Sequence, residues 1–274
     1  MVLVSTVPIV AHALSATLRD LGHRPVALIT ARRPTPHPDR PQMTDASAPP
    51  GLDLLLPARR SSMAPLMRAV EPDLMLCWGF PWRIPADALA VPRLGSVNCH
   101  PALLPRHRGP IPLAWAIRDD LGAYGVTWHR MDAELDTGPI LAQGMVPMED
   151  DDFEIQVVGP RMGAVGLGLL PRVLERVAAG DPGDPQPTEG ASWAGYFGED
   201  YATVDWSLPA RAIHSQVRAW ALSFGMSPVD GPIAEIDGRR VRLTRTSLSD
   251  PGGDARRMDA GDGPVWVVDF EPVS

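Results

Sequence analysis

The stretch that most restricts what this chain can become runs Gly95-Ser-Val-Asn98-Cys-His100-Pro-Ala-Leu-Leu-Pro105-Arg106-His-Arg108-Gly109-Pro-Ile-Pro112. A short apolar run closes on a polar Asn and His, and prolines with a glycine then forbid both helix and strand until Leu113 opens a new apolar segment. This is how a strand delivers side chains to the edge of a sheet. In an open parallel sheet, ligands bind outside the carboxyl ends of the strands, so Asn98 and His100 are expected to face a crevice rather than a core. Downstream, Leu135-Asp136-Thr137-Gly138 carries turn chemistry of its own.

The rest of the chain can supply such a sheet. Residues 2–5 read as a buried strand, Pro8 with Val10, Leu14 and Leu18 at helical spacing as the returning helix, and residues 24–30 as a second strand. This βαβ opening predicts a doubly wound α/β domain. Residues 33–51, rich in Pro, Ser, Asp and Ala, read as a surface loop. Strands are predicted at 52–56 and 74–78, with a helix over Met63–Val70 between them that stops before Pro72. Residues 113–119 are helix-like, and strands at 125–131 and 139–143 flank Asp136. Residues 157–179 repeat Val, Leu and Met at helical spacing, as a long packed helix does. Residues 179–190 have linker composition, so the chain is expected to divide into a catalytic domain over 1–180 and a smaller domain over 191–274. Short strands follow at Ile233–Ile236, 240–246 and 265–270, with Asp237-Gly238 as a hairpin turn; this pattern suits a small β-barrel.

The pattern Asn98-x-His100-Pro101-x-Leu103-Leu104-Pro105-x-x-Arg108-Gly109, followed by Gly125-Val-Thr127, Met131-Asp132 and Leu135-Asp136-Thr137-Gly138, resembles the 10-formyltetrahydrofolate-dependent formyltransferases. The agreement covers residues 95–138 and is looser elsewhere. That superfamily includes the methionyl-tRNA, amino-sugar, hydroxyornithine and glycinamide-ribonucleotide enzymes. The resemblance implies a Rossmann-like catalytic domain with a small OB-like C-terminal barrel, 10-formyltetrahydrofolate as co-substrate, and catalytic Asn, His and Asp at Asn98, His100 and Asp136. It places the loop over 79–85 at the folate pocket, with Phe80 and Ile84 as candidate walls and Leu103, Gly109, Thr137 and Gly138 as further cofactor-binding candidates. Arg106 and Arg108 are candidates for holding a substrate anion. The segment Tyr196…Asp205-Trp206…Ala210…Ile213…Val217-Arg218-Ala219 is similar to the opening of the C-terminal domain in the tRNA and amino-sugar enzymes.

These residue types suit the chemistry. Moving a formyl group to an amine passes through a tetrahedral oxyanion that must be stabilised while the amine loses a proton. An Asn amide is a neutral donor for that oxygen. A His with an ordinary pKa of about 6.5 takes the proton or hydrogen-bonds the oxyanion, and a carboxylate beside it orients the ring.

Composition limits the alternatives. All 25 basic residues are arginines, which removes lysine Schiff-base chemistry and the P-loop lysine. Cys77 and Cys99 stand in apolar segments without metal spacing, so no metal is expected and a reducing cytoplasm fits. No secretory leader and no membrane span are expected, since the chain opens without a basic lead and no window reaches about 18 uninterrupted apolar residues.

Residues 1–150 hold 14 acidic and 14 basic side chains, whereas 151–274 hold 19 and 11, so the formal charge of -8 lies in the second part. Binding tRNA normally requires a basic face. The expected acceptor is therefore a small-molecule amine such as an amino sugar, amino acid or natural-product intermediate, with no nucleic-acid partner. Two alternatives stay open: methionyl-tRNA formyltransferase and 10-formyltetrahydrofolate hydrolase. The loop with Arg32, Arg33 and Arg40 is diluted by Asp39 and Asp45. The pattern that favours tRNA is a basic set of Arg211, Arg218, Arg239, Arg240, Arg242 and Arg245.

Overall fold

Short, continuously apolar strands buried on both faces, such as Val2–Val4, Ala27–Ile29 and Met75–Trp78, form the centre of the first sheet. The sheet comprises β1 (Val2–Val4), β2 (Ala27–Ile29), β3 (Asp53–Leu55), β4 (Met75–Trp78), β5 (Ser96–His100), β6 (Ala123–Arg130) and β7 (Ile140–Pro147), in the order β3-β2-β1-β4-β5-β6-β7. The molecule is described here by a computed structural model over residues 1–31, 43–44, 47–223 and 225–273. Strands β1 to β5 pair in parallel, and β6 runs antiparallel to β5. Because side chains alternate along a strand, the sheet has two apolar faces. Leu3, Leu28, Leu76, Trp78, Val97 and Cys99 pack on one face with Ala11, Leu14 and Leu18 of α1 (Pro8–Asp20) and with Leu170, Val173 and Leu174 of α5 (Ile155–Ala178). Val2, Val4, Ala27, Ile29, Met75 and Cys77 pack on the other with Met63, Ala64 and Met67 of α2 (Met63–Val70) and Ala88 of α3 (Ala86–Leu89). Helices on both faces of a mainly parallel sheet make the expected doubly wound α/β architecture. Trp78 and Trp128 meet edge to face at 5.7 Å in this core.

Two compact units can be distinguished. The first comprises Met1–Pro105, Val126–Gly144 and Met162–Ala191; the second comprises Arg106–Gly125, Met145–Arg161 and Ser192–Ser274. In the second, β8 (Ile233–Ile236), β9 (Arg239–Ser247), β10 (Arg256–Ala260) and β11 (Gly263–Pro272) form an antiparallel sheet in the order β10-β11-β9-β8. Asp237 and Gly238 have φ of 52° and 70°, the paired positive values of a two-residue hairpin turn. The helix α4 (Pro112–Arg118) lies in this unit, as does α6 (Ala210–Ala221), which buries Ile213 and Val217 among Ala234, Ile236, Val241, Leu243, Val265 and Val267. The Asp262 carboxylate accepts the Ala210 N–H at 2.7 Å and so caps the start of α6.

Three elements were not predicted: α3 is a single turn, α6 buries the polar His214, Ser215, Gln216 and Arg218 among its apolar residues, and β10 is a short strand whose alternation is confined to residues 257–260. The linker reading of residues 179–190 is corrected. Asp184 exchanges backbone hydrogen bonds of 2.8 Å with Ile140, and Arg176 binds the carboxylates of Asp181 and Asp184, so this proline-rich strip is fastened beside β7. The helix α5 is long and apolar enough to cross a bilayer by length and composition alone, a property the expectation of no membrane span did not anticipate. Its Leu170, Val173, Leu174 and Val177 are instead buried in the first core. The loop carrying Arg32, Arg33 and Arg40 lies outside the described residues.

Candidate active site

The site grows from the register of two strands. Asn98 stands directly opposite His129 across β5 and β6, and His100 stands opposite Thr127. Because strand residues alternate, Asn98, His100, Thr127 and His129 share one face, while Val97, Cys99, Val126 and Trp128 fill the core behind. In the parallel register with β4, Asn98 lies beside Cys77, which puts the group on the α2/α3 face. Burial pushes the Cys77 thiol pKa up, with the Asp136 charge adding to it, and burial likewise raises that of Cys99; both cysteines act as small apolar side chains.

Asp136 arrives from the loop between β6 and β7. Its φ of 58° is left-handed, a conformation uncommon for residues with a side chain and most accessible to Asp and Asn among them. Several contacts hold the loop in place. Gln186 donates from Nε2 to the carbonyls of both Asp136 and Gly138 at 2.8 Å. Gly138 lies so close to Arg130 that a Cβ there would sit 1.9 Å from the Arg130 carbonyl oxygen. Thr137 donates to Asp132 at 2.8 Å, and Arg83 donates to the Ala133 carbonyl at 2.8 Å.

The result is a convergence on one carboxylate. His100 Nδ1 is 3.5 Å from Asp136 Oδ2, His129 Nε2 is 3.5 Å from Asp136 Oδ1, and Asn98 Nδ2 is 3.4 Å from the same Oδ1. The side chains of His100, His129 and Asp136 are 5%, 2% and 12% exposed, so these groups interact in a medium where charge is weakly screened. Asn98 Nδ2 also lies 3.2 Å from His129 Nε2. Such a set offers an amide donor, an imidazole and a carboxylate within one small volume.

The other candidates divide. Phe80 is half-buried and meets Trp82 edge to face at 5.6 Å, and Ile84 is buried; all three pack with Cys77 and Met131 on the face that carries Asn98. Leu103 is half-buried in a loop held by Thr127, whose hydroxyl donates to the Ala102 carbonyl at 2.6 Å and accepts the Leu104 N–H at 3.2 Å. Gln143 donates to the Leu104 carbonyl at 2.7 Å, which completes the hold. Arg106, Arg108 and Gly109 belong to the second unit. There Arg108 pairs its backbone with residues 192–194, and a Cβ on Gly109, whose φ is 117°, would meet the Ala194 carbonyl at 3.0 Å. Sequence reasoning missed His129, Gln143 and Gln186. His129 was within reach of it, as it follows Thr127 at the strand period; the two glutamines act across long sequence separations and left no local signal.

A methionyl-tRNA formyltransferase of Pelobacter propionicus is 32% identical over 250 residues, which cover 86% of this chain and 74% of that relative. The chain belongs to the formyltransferase family. The family described as Formyl transferase matches residues 40–174, the span that holds Asn98, His100, His129 and Asp136. Among solved structures, HypX from Aquifex aeolicus in complex with tetrahydrofolic acid superposes with a TM-score of 0.68 at 19% identity, covering 100% of this chain and 44% of HypX. This formyltransferase therefore spans under half the length of HypX. An N-formyltransferase from Helicobacter canadensis, in complex with folinic acid and dTDP-3-aminofucose, superposes with a TM-score of 0.70 at 14% identity, covering 99% and 98%. At these identities the likeness is one of fold.

Proposed function

We propose that this chain moves the formyl group of 10-formyltetrahydrofolate to a primary amine of a small molecule, such as an amino sugar, an amino acid or a natural-product intermediate. The observation that carries the reading is the convergence of Asn98, His100 and Asp136 at the end of β5. In the reaction the acceptor nitrogen bonds to the formyl carbon, the bond from that carbon to folate N10 breaks, one proton leaves the acceptor nitrogen and one reaches N10. His100 takes the acceptor's proton, Asp136 stabilises the imidazolium so formed, and an Asn98 N–H donates to the oxyanion. The apolar surface of Phe80, Trp82 and Leu103 supports the folate ring, with Ile84 behind it and the loop at Thr137 and Gly138 beside it. Arg106 and Arg108 are assigned to an acceptor anion. The second sheet is assigned to an OB-like module.

A small acceptor is favoured by how four of the six arginines in the candidate basic set are used, while Arg239 and Arg240 stand exposed. Arg211 pairs with Asp150 and Asp120, Arg242 with Glu271 and Asp230, and Arg245 with Glu154. Arg218 is 3% exposed. Charges so neutralised or buried release few counterions from a polyanion. The naming of the 32% identical relative supports transfer to methionyl-tRNA as the second reading. Incubation with 10-formyltetrahydrofolate and a panel of amines, followed by mass spectrometry for the gain of one formyl group, tests the proposal. A formylated small amine with no formylation of charged initiator tRNA is expected. Transfer to tRNA alone would promote the second reading, and formate release at enzymic rate without any amine would favour a hydrolase.

A further inference from the structure

We infer that His129 is a positioning residue that fixes the orientation of the Asn98 amide, an inference that rests on the formyl-transfer reading for its catalytic consequence. The ring is 2% exposed and stands directly across the strand pair from Asn98. Its Nδ1 lies 2.8 Å from the Arg130 carbonyl, an oxygen that can only accept, so Nδ1 carries the proton. In the neutral ring Nε2 then keeps its lone pair and accepts from Asn98 Nδ2 at 3.2 Å, whereas an imidazolium would donate from Nε2 to Asp136 Oδ1, 3.5 Å away, and leave the amide without this acceptor; the positioning role belongs to the neutral ring.

This arrangement decides which way the amide faces. Were Asn98 turned over, its carbonyl oxygen would confront two acceptors, the His129 Nε2 lone pair and the Asp136 carboxylate 3.4 Å from the present Nδ2 position. One amide hydrogen is held by His129. The other reaches Asp136 over a long contact and is the one available to a developing oxyanion once His100 is protonated and draws the carboxylate to itself. Asp136 thus has two histidines with different duties: His100 exchanges the proton, and His129 orders the donor.

The test has two arms. Nitrogen-15 spectra of the histidine rings in the full-length wild type read the tautomer without any need for activity. The Nδ1-protonated form of His129 is expected, with its Nε2 signal shifted in Asn98→Ala; an Nε2-protonated ring, or an Nε2 signal indifferent to Asn98, would overturn the inference. The second arm measures transfer from 10-formyltetrahydrofolate to hydroxylamine, a surrogate amine whose product is formohydroxamate. His129→Phe keeps the ring volume but offers no acceptor, and should lower kcat by about 10- to 100-fold with KM for folate nearly unchanged. His129→Gln places an amide oxygen near the Nε2 position and should recover most of that loss. Equal activity of wild type and His129→Phe, or an equal deficit in both variants, would contradict the inference. A wild type that shows the expected tautomer yet transfers formyl to no amine would instead refute the functional reading alone.

Discussion

His129 in the first unit and His214 in the second are both buried, yet their surroundings use them differently. His214 is held between the Thr246 hydroxyl at 2.9 Å and the Asp150 carbonyl at 2.8 Å, and beside it buried Arg218 donates to the carbonyls of Glu149 at 2.5 Å and Asp152 at 3.4 Å. Most of those acceptors are backbone, so the polar groups there tie segments together. His129 too is held to backbone, at the Arg130 carbonyl at 2.8 Å, but around the Asp136 carboxylate the contacts of His100, His129 and Asn98 are side chain to side chain at 3.2 to 3.5 Å, and the carboxylate sits on left-handed backbone. A buried polar cluster fastened to backbone is a staple. One in which side chains share a carboxylate over longer contacts retains the freedom to exchange a proton.

Substitutions in either cluster should separate the two roles. The largest effect is expected from Gly138→Ala, since the new methyl group must push the Asp136 loop away from the Arg130 carbonyl. A displacement of that size should cost about 10²-fold or more in turnover. Steady-state kinetics on a variant shown to be folded checks it, and normal turnover would mean that the loop position is unimportant. In the second unit, Arg218→Ala strips the donors from the Glu149 carbonyl and from the buried Asp152 carbonyl and should destabilise the fold by roughly 1–3 kcal/mol. Thermal and denaturant melts read this. An unchanged melt with lost activity would remove the contrast between staple and site.

Asp136→Asn should have a smaller effect, lowering activity by about tenfold and displacing the pH profile, because the amide keeps the packing but cannot stabilise the His100 imidazolium. An unaltered profile at full activity would reduce Asp136 to a turn residue. The mildest expectation concerns His214, whose pKa burial depresses to about 4 from an ordinary 6.5, with the nearby Arg218 charge acting in the same direction. Between these values the unfolded chain binds the proton and the folded one does not, so stability is complete above pH 6.5 and falls as the pH drops towards 4. Near pH 5.5 the loss should be about 1 kcal/mol, and His214→Gln should remove that slope. Melts of both proteins across this window test the sign.

Some of this was legible in the chain and some was not, for physical reasons. The span of β8 and the core of β9 followed from alternation, and the helix Met63–Val70 from its period and the proline after it. Asn98 and His100 declared themselves because prolines end their strand abruptly. His129 looked like any strand residue until the antiparallel register set it against Asn98. Gln186 sat in a segment whose prolines and glycines suggested a linker, and only tertiary pairing with β7 showed that it holds Asp136. Arg211 and Arg242 looked like part of a basic set because the acids that pair with them, Asp150 and Glu271, lie far away in sequence.

The measurement closest to the central claim is single-turnover formyl transfer by Asn98→Ala and His100→Ala, alongside the affinity of each variant for 10-formyltetrahydrofolate. Losing an oxyanion donor or the proton acceptor should slow the chemical step by about 10²-fold or more while folate binding changes little. If both variants transferred formyl at close to the wild-type rate, or if their entire deficit lay in folate affinity, the assignment of the Asn98, His100 and Asp136 cluster as the reacting centre would be wrong.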